Sequence, residues 1–81
     1  KFVDAHIEKG IVYFEQKEFN KALDAFKISA TVANTNADSY YWMGCSYEQL
    51  KMKELAIESY ERALSFNPGI IEAEEGLKRL Q

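Results

Sequence analysis

Residues 34 positions apart match along this chain: Gly10, Tyr13 and Ala22 recur as Gly44, Tyr47 and Ala56, and Asp4, Lys17 and Phe26 recur as Asp38, Lys51 and Tyr60. A chain that echoes itself at this interval folds as stacked copies of one unit, because a single unit cannot bury its own apolar side. Such stacks offer extended surfaces to partners, so binding is the leading functional expectation.

Size and charge narrow the classes. With 81 residues the chain buries one modest core and leaves little material for a deep catalytic cleft. An apolar content of 47% with 28% charged residues and one Pro is that of a folded chain, not a disordered one. The net charge of -3 and the lack of any Lys/Arg block, with Lys78-Arg79 a single pair in an acidic stretch, leave no footprint for a phosphate backbone; nucleic acid is not an expected partner.

No apolar run approaches the roughly 18 residues of a membrane span, and Lys1-Phe2-Val3-Asp4 lacks a signal-type apolar stretch, so direct membrane insertion is not expected. Lys1 in place of Met suggests an excised or processed piece. The lone Cys45 forms no internal disulfide and fits a reducing compartment such as the cytoplasm without establishing it.

Apolar periodicity predicts five helices. Phe2 to about Gln16 carries apolar residues on more than one face, whereas Phe19 to about Ala33 has one strong stripe of Phe19, Ala22, Leu23, Phe26, Ala30 and Ala33. Gln16-Lys17-Glu18 is long enough only for a tight turn, so these two are antiparallel neighbours. After Asn34-Thr35-Asn36 a third helix runs from Ala37 to about Leu50, with Asp38 suited to its amino-terminal end. The fourth, Glu54 to about Phe66, buries Leu55, Ile57, Tyr60, Ala63 and Leu64 and ends at Asn67-Pro68-Gly69. Ile70 to Gln81 is the fifth, acidic at its start and basic near its end, as the helix dipole favours.

Glycine inside a helix costs roughly 1 kcal/mol relative to alanine. That the cost recurs at Gly10 and Gly44 implies a shared cause, close helix approach, with Ala22 and Ala56 as the facing small surfaces. Phe26 and Tyr60 then fill the space between pairs, and Tyr13 and Tyr47 pack where consecutive units meet.

On these residues the chain resembles the tetratricopeptide repeat family. Ala37 to Pro68 carries the pattern in Tyr40, Met43, Gly44, Tyr47, Ala56, Tyr60, Ala63, Leu64 and Pro68, and Val3 to Asn36 looks like the preceding repeat through Gly10, Tyr13, Phe19, Ala22, Leu23 and Phe26. The resemblance implies an all-α fold: antiparallel helix pairs stacked as a short right-handed superhelix, with repeats at 3–36 and 37–70 and a capping helix at 71–81. The first repeat departs from the pattern at His6, Lys9, Ser29 and Asn34, as a solvent-facing terminal repeat is free to do.

The resemblance also assigns an inner face: Asp4, Ile7, Glu8, Ile11, Phe14 and Glu15 in the first unit and Asp38, Tyr41, Trp42, Cys45, Glu48 and Gln49 in the second, continued by Glu72, Glu75 and Arg79. The expected peptide-binding residues are Ile7, Ile11, Phe14, Asp38, Tyr41, Trp42, Cys45, Glu48 and Gln49. An apolar centre edged by carboxylates favours a protein or peptide that is apolar and neutral to basic. The alternative is packing: the same apolar residues meet another helix of a longer array, or a second copy in self-association.

Some family members clamp an acidic carboxyl-terminal peptide with Lys, Asn and Arg; the matching places here hold Ile7, Ile11, Trp42, Glu72 and Gly76, which lack those donors. Neither a catalyst nor a cofactor or metal site is expected. His6 is the only histidine, Cys45 the only thiol, and the glycines Gly10, Gly44, Gly69 and Gly76 are too dispersed for a phosphate loop. Glu72, Glu74 and Glu75 read as the acidic opening of a helix, and Glu58 and Arg62 as an i,i+4 pair on a solvated face.

Overall fold

The computed structural model describes residues 2–32 and 36–81, with side-chain surroundings from residue 5 onward; the expected side-chain roles of Val3, Asp4, Ala33 and Asn34 lie outside the described residues. Its helices are α1 (Phe2–Glu15), α2 (Phe19–Val32), α3 (Ala37–Gln49), α4 (Lys53–Phe66) and α5 (Ile71–Leu80). Each packs on the next in chain order, and α5 also reaches α3. The fold is all-α, as the periodicity predicts.

Both units reverse direction in the same way. Lys17 and Lys51 take left-handed backbone angles, with φ of 64° and 65°. The Lys17 amide donates to the Phe14 carbonyl and the Glu18 amide to the Tyr13 carbonyl, both at 2.9 Å, while Lys51 and Met52 donate to Glu48 and Tyr47 at 3.1 and 2.9 Å. This doubled bond pattern satisfies the last carbonyls of α1 and α3 and turns the chain back within three residues. Helix pairing is thus written into the turn chemistry of each unit.

The capping of α3 falls to Asn36, whose side-chain oxygen accepts from the Asp38 and Ser39 amides at 2.9 and 3.4 Å. Asp38 adds its charge in the first turn. At the end of α4, Asn67 is extended and its side-chain oxygen accepts from the Gly69 amide at 3.1 Å, a local turn that stops the helix beside Pro68.

Phe26 and Tyr60 are completely buried. A Cβ added at Gly44 would lie 2.7 Å from the Tyr60 ring, and one at Gly10 would collide with the Phe26 ring, so each glycine admits the aromatic ring of its own pair's second helix. Gly76, which the sequence reading leaves without a role, does the same from the other side: a Cβ there would also come within 2.7 Å of Tyr60. The Tyr60 ring is therefore gripped between α3 and α5.

The units meet through Leu23 and Ala30 of α2 and Tyr40 and Tyr47 of α3, all in one buried cluster. The Lys27 ammonium lies 5.9 Å over the Tyr47 ring. Tyr13, expected at a unit boundary as well, is only half-buried, with Lys21 5.8 Å from its ring. Ser29 has a packing reason of its own: its hydroxyl and that of Ser39, both fully buried, are 2.6 Å apart across the α2–α3 joint. Two further expectations need correction. Leu55 is 40% exposed, because the buried stripe of α4 runs through Ala56, Ser59, Tyr60 and Ala63 and leaves Leu55 beside it. Arg62, expected to pair with Glu58, lies 5.5 Å over the Tyr40 ring.

Candidate functional site

Of the residues assigned to the inner face, Ile7, Ile11 and Phe14 lie on α1 at spacings of four and three, and all are half-buried. Tyr41, Trp42, Cys45 and Glu48 form the matching half-buried row on α3, with the exposed Asp38 and Gln49 at its two ends. The rows are joined by Trp42. Its indole stacks on Phe26 with centroids 5.6 Å apart and planes at 23°, and meets Phe14 and Tyr41 edge-on at 5.6 and 5.3 Å. Phe14 in turn meets Phe19 at 5.0 Å.

The second joint is built from the same positions with different chemistry. One repeat on, Phe14, Phe26 and Trp42 become Glu48, Tyr60 and Gly76. In place of stacked rings, the Tyr60 hydroxyl donates to Glu48 Oε1 at 2.7 Å and lies 3.6 Å from Cys45 Sγ. Arg79 completes the group, donating from Nε to Glu48 Oε2 at 3.1 Å and from its terminal nitrogen to Oε1 at 2.9 Å. Glu48 is thereby tied to both α4 and α5; its partner Tyr60, and Gly76, which packs against the Tyr60 ring, were not among the expected site residues. The signal for Gly76 was available: it is the residue 34 after Trp42.

Electrostatics fit a holding surface. The Arg79 guanidinium, helped by the Tyr60 hydroxyl, holds the Glu48 carboxyl below its ordinary range. Burial pushes the Cys45 thiol up, and burial likewise raises the phenols of Tyr41 and Tyr60. A thiol shifted in that direction stays protonated and is a poor nucleophile. Among the described residues no cluster of three His, Cys, Asp or Glu side chains is arranged to hold a metal ion, and no helix is long and apolar enough to cross a membrane.

Two grooves lie away from this face and are copies of each other. The first, about 310 Å³, is lined by His6, Lys9, Tyr13, Lys21, Asp24, Ala25 and Ile28. Adding 34 to each number gives Tyr40, Met43, Tyr47, Leu55, Glu58, Ser59 and Arg62, the lining of the second groove, which holds about 110 Å³. The second is narrower where α2 packs against Tyr40 and Tyr47. His6 and Lys9, two departures from the repeat pattern, thus sit in the open groove, where the covered one has Tyr40 and Met43.

Residues 37–70 match the family model of the tetratricopeptide repeat. The chain is 26% identical over 74 residues to the peroxisomal targeting signal receptor of Candida albicans, a match covering 91% of this chain and 12% of that protein. The crystal structure of MamA superposes with a TM-score of 0.93 at 29% identity, covering 96% of this chain and 46% of that one. The first tetratricopeptide repeat domain of Spaghetti (RPAP3), solved bound to the HSP90 peptide SRMEEVD, superposes at a TM-score of 0.61 and 19% identity, a likeness of fold alone, over 96% of this chain and 89% of that one. Domains of this family are typically protein-interaction modules and generally non-catalytic. The chain spans about an eighth of the length of the receptor it matches.

Proposed function

We propose that this chain, which belongs to the tetratricopeptide repeat family, is a non-catalytic protein- or peptide-binding scaffold that engages its partner through Ile7, Ile11, Phe14, Asp38, Tyr41, Trp42, Cys45, Glu48 and Gln49. In this reading residues 3–36 and 37–70 are the repeats and 71–81 cap the second. The observation that carries it is the half-buried aromatic run from Phe14 through Trp42 to Tyr41, backed on its inner side by the buried rings of Phe26 and Tyr60. Rigid aromatics anchor a partner with little loss of side-chain freedom. The exposed carboxylates of Asp38, Glu72 and Glu75 stand around them, so the partner surface is apolar with neutral to basic surroundings. An acidic tail such as SRMEEVD is a poor fit to that charge.

An amide titration against a peptide library tests this: saturable shifts at Ile11, Tyr41, Trp42 and Gln49 are expected. Saturable shifts confined to the outer residues Asp24 and Glu58 would reject it.

Beside the alternative that Ile7, Ile11 and Phe14 pack against another helix or a second copy, a packing reading at a different surface has an observation of its own, the open groove lined by His6, Lys9, Tyr13 and Ile28, whose counterpart in the second unit is partly covered by α2. In that reading the groove meets a helix of another repeat or a second copy. Shifts at Tyr13 and Ile28 that grow with protein concentration alone would favour it over peptide binding.

A further inference from the structure

We infer that Glu48 is a receiving site for an arginine side chain of the partner, and that Arg79 occupies it in the free chain as a stand-in. The inference rests on the inner face being the binding surface, and deepens it by naming the chemistry that one residue recognises.

The acceptor is built into the fold and the cation is laid on from outside. Glu48 has a side chain 21% exposed, whereas that of Arg79 is 57% exposed. From below, the buried Tyr60 fixes the carboxylate through its 2.7 Å hydroxyl bond. Both carboxylate oxygens are engaged by the guanidinium, in the two-pronged geometry that arginine alone among the side chains supplies. An incoming guanidinium would need the same two oxygens in the same plane, so occupation by Arg79 and by a partner arginine are mutually exclusive.

Arg79 is free to leave without undoing the fold. It comes from the last turn of α5, while that helix is seated by the fully buried Ala73 and by Gly76 against Tyr60. An incoming guanidinium re-forms the two hydrogen bonds that Arg79 gives up, so exchange of one arginine for another is thermodynamically mild. Tyr41 and Trp42 lie about two turns from Glu48 along α3. A matching partner therefore presents an arginine with an apolar residue close by.

The probes are N-acetyl-Leu-Arg-Leu amide and the same peptide with citrulline, which keeps the shape and loses the charge. Each is titrated by amide shifts into the wild-type chain, Arg79→Gln and Glu48→Gln, with helix content checked by circular dichroism. Emptying the site with Arg79→Gln should tighten the arginine peptide by at least about three-fold, since competition is removed. The citrulline peptide should gain nothing, and Glu48→Gln should bind both peptides alike. A folded Arg79→Gln that binds the arginine peptide no tighter, or gains equally for citrulline, overturns the inference. If both peptides shift Tyr41 and Trp42 equally in every variant, the binding surface stands and the arginine site falls; if neither peptide shifts any inner residue, both fall. Concentration-dependent shifts at Arg79 without peptide would make a second copy the occupant and also overturn it.

Discussion

Phe26 and Trp42 stack with ring centroids 5.6 Å apart, and through this pair α2 of the first unit meets α3 of the second. The corresponding pair 34 residues later is Tyr60 and Gly76, where a ring lies against bare backbone. The two joints are thus one design executed twice, once with an indole filling the space and once with a helix drawn in close. The polar tyrosine hydroxyl then lies within reach of Glu48 and, through it, of Arg79.

Trp42 belongs to the construction as much as to the surface. Removing it strips contacts from Phe14, Phe26 and Tyr41 together. Trp42→Ala is expected to cost about 2–4 kcal/mol, a little below a fully buried tryptophan because the indole is half-exposed. In a chain this small that is a large share of the total stability. Trp42→Phe keeps a ring over Phe26 and should cost under about 1.5 kcal/mol. Urea denaturation followed by circular dichroism measures both, and equal midpoints for the two variants would show that the stack contributes nothing.

Gly76→Ala sets two effects against each other. Helix propensity alone favours alanine by about 1 kcal/mol. The new Cβ, however, would lie 2.7 Å from the buried Tyr60 ring, which has no room to withdraw between α3 and α5. Overpacking of that kind costs about 1–3 kcal/mol, so the net effect is destabilising by up to about 2 kcal/mol. Gly69→Ala is the control, since its Cβ would meet only the Asn67 side-chain oxygen at 3.4 Å. Thermal melts in which Gly76→Ala matched or exceeded the wild type would contradict the close approach.

Helix bounds were legible to within a residue because apolar period, tight turns and Asn67-Pro68-Gly69 all act locally. Gly10 and Gly44 were legible as packing residues because they recur in phase. Gly76 was not, since it echoes Trp42 and two such different residues disguise a shared place in the stack. The tie from Glu48 to Tyr60 and Arg79 was hidden for another reason: it joins three helices across separations of 12 and 31 residues, and depends on a single hydroxyl that Phe26 lacks in the first unit. Leu55 misled the reading because one position of helical phase separates the buried side of α4 from its flank.

Lys17 and Lys51 hold left-handed backbone angles that glycine adopts without steric cost. Replacing either by glycine should stabilise the chain by about 0.5–1 kcal/mol, the relief of side-chain strain outweighing the added freedom of the unfolded chain. Both side chains are exposed, so no buried packing is lost; Lys51 gives up only a minor charge interaction with Glu48. The two gains should add, because the turns belong to separate units. Urea midpoints of the single and double variants check this, and a loss at either site would mean that the lysine side chain itself supports the turn.

Glu48 makes stability depend on acid. Its carboxyl is held below the ordinary range in the folded chain, so folding favours the ionised form. The contribution is therefore fully present above the unfolded value of about 4.3 and is lost as pH falls through the folded value. An ion pair with one exposed partner limits the effect to about 1 kcal/mol. Carbon chemical shifts of the Glu48 carboxyl, followed between neutral pH and pH 2, should give a midpoint below that of a model glutamate. Arg79→Gln should move the midpoint upward, since the guanidinium is the largest cause of the depression, and should flatten the loss of stability over the same acid range. A Glu48 midpoint unchanged by Arg79→Gln would mean that the pair does not persist in solution, and with it Arg79 would cease to be the occupant of that carboxylate.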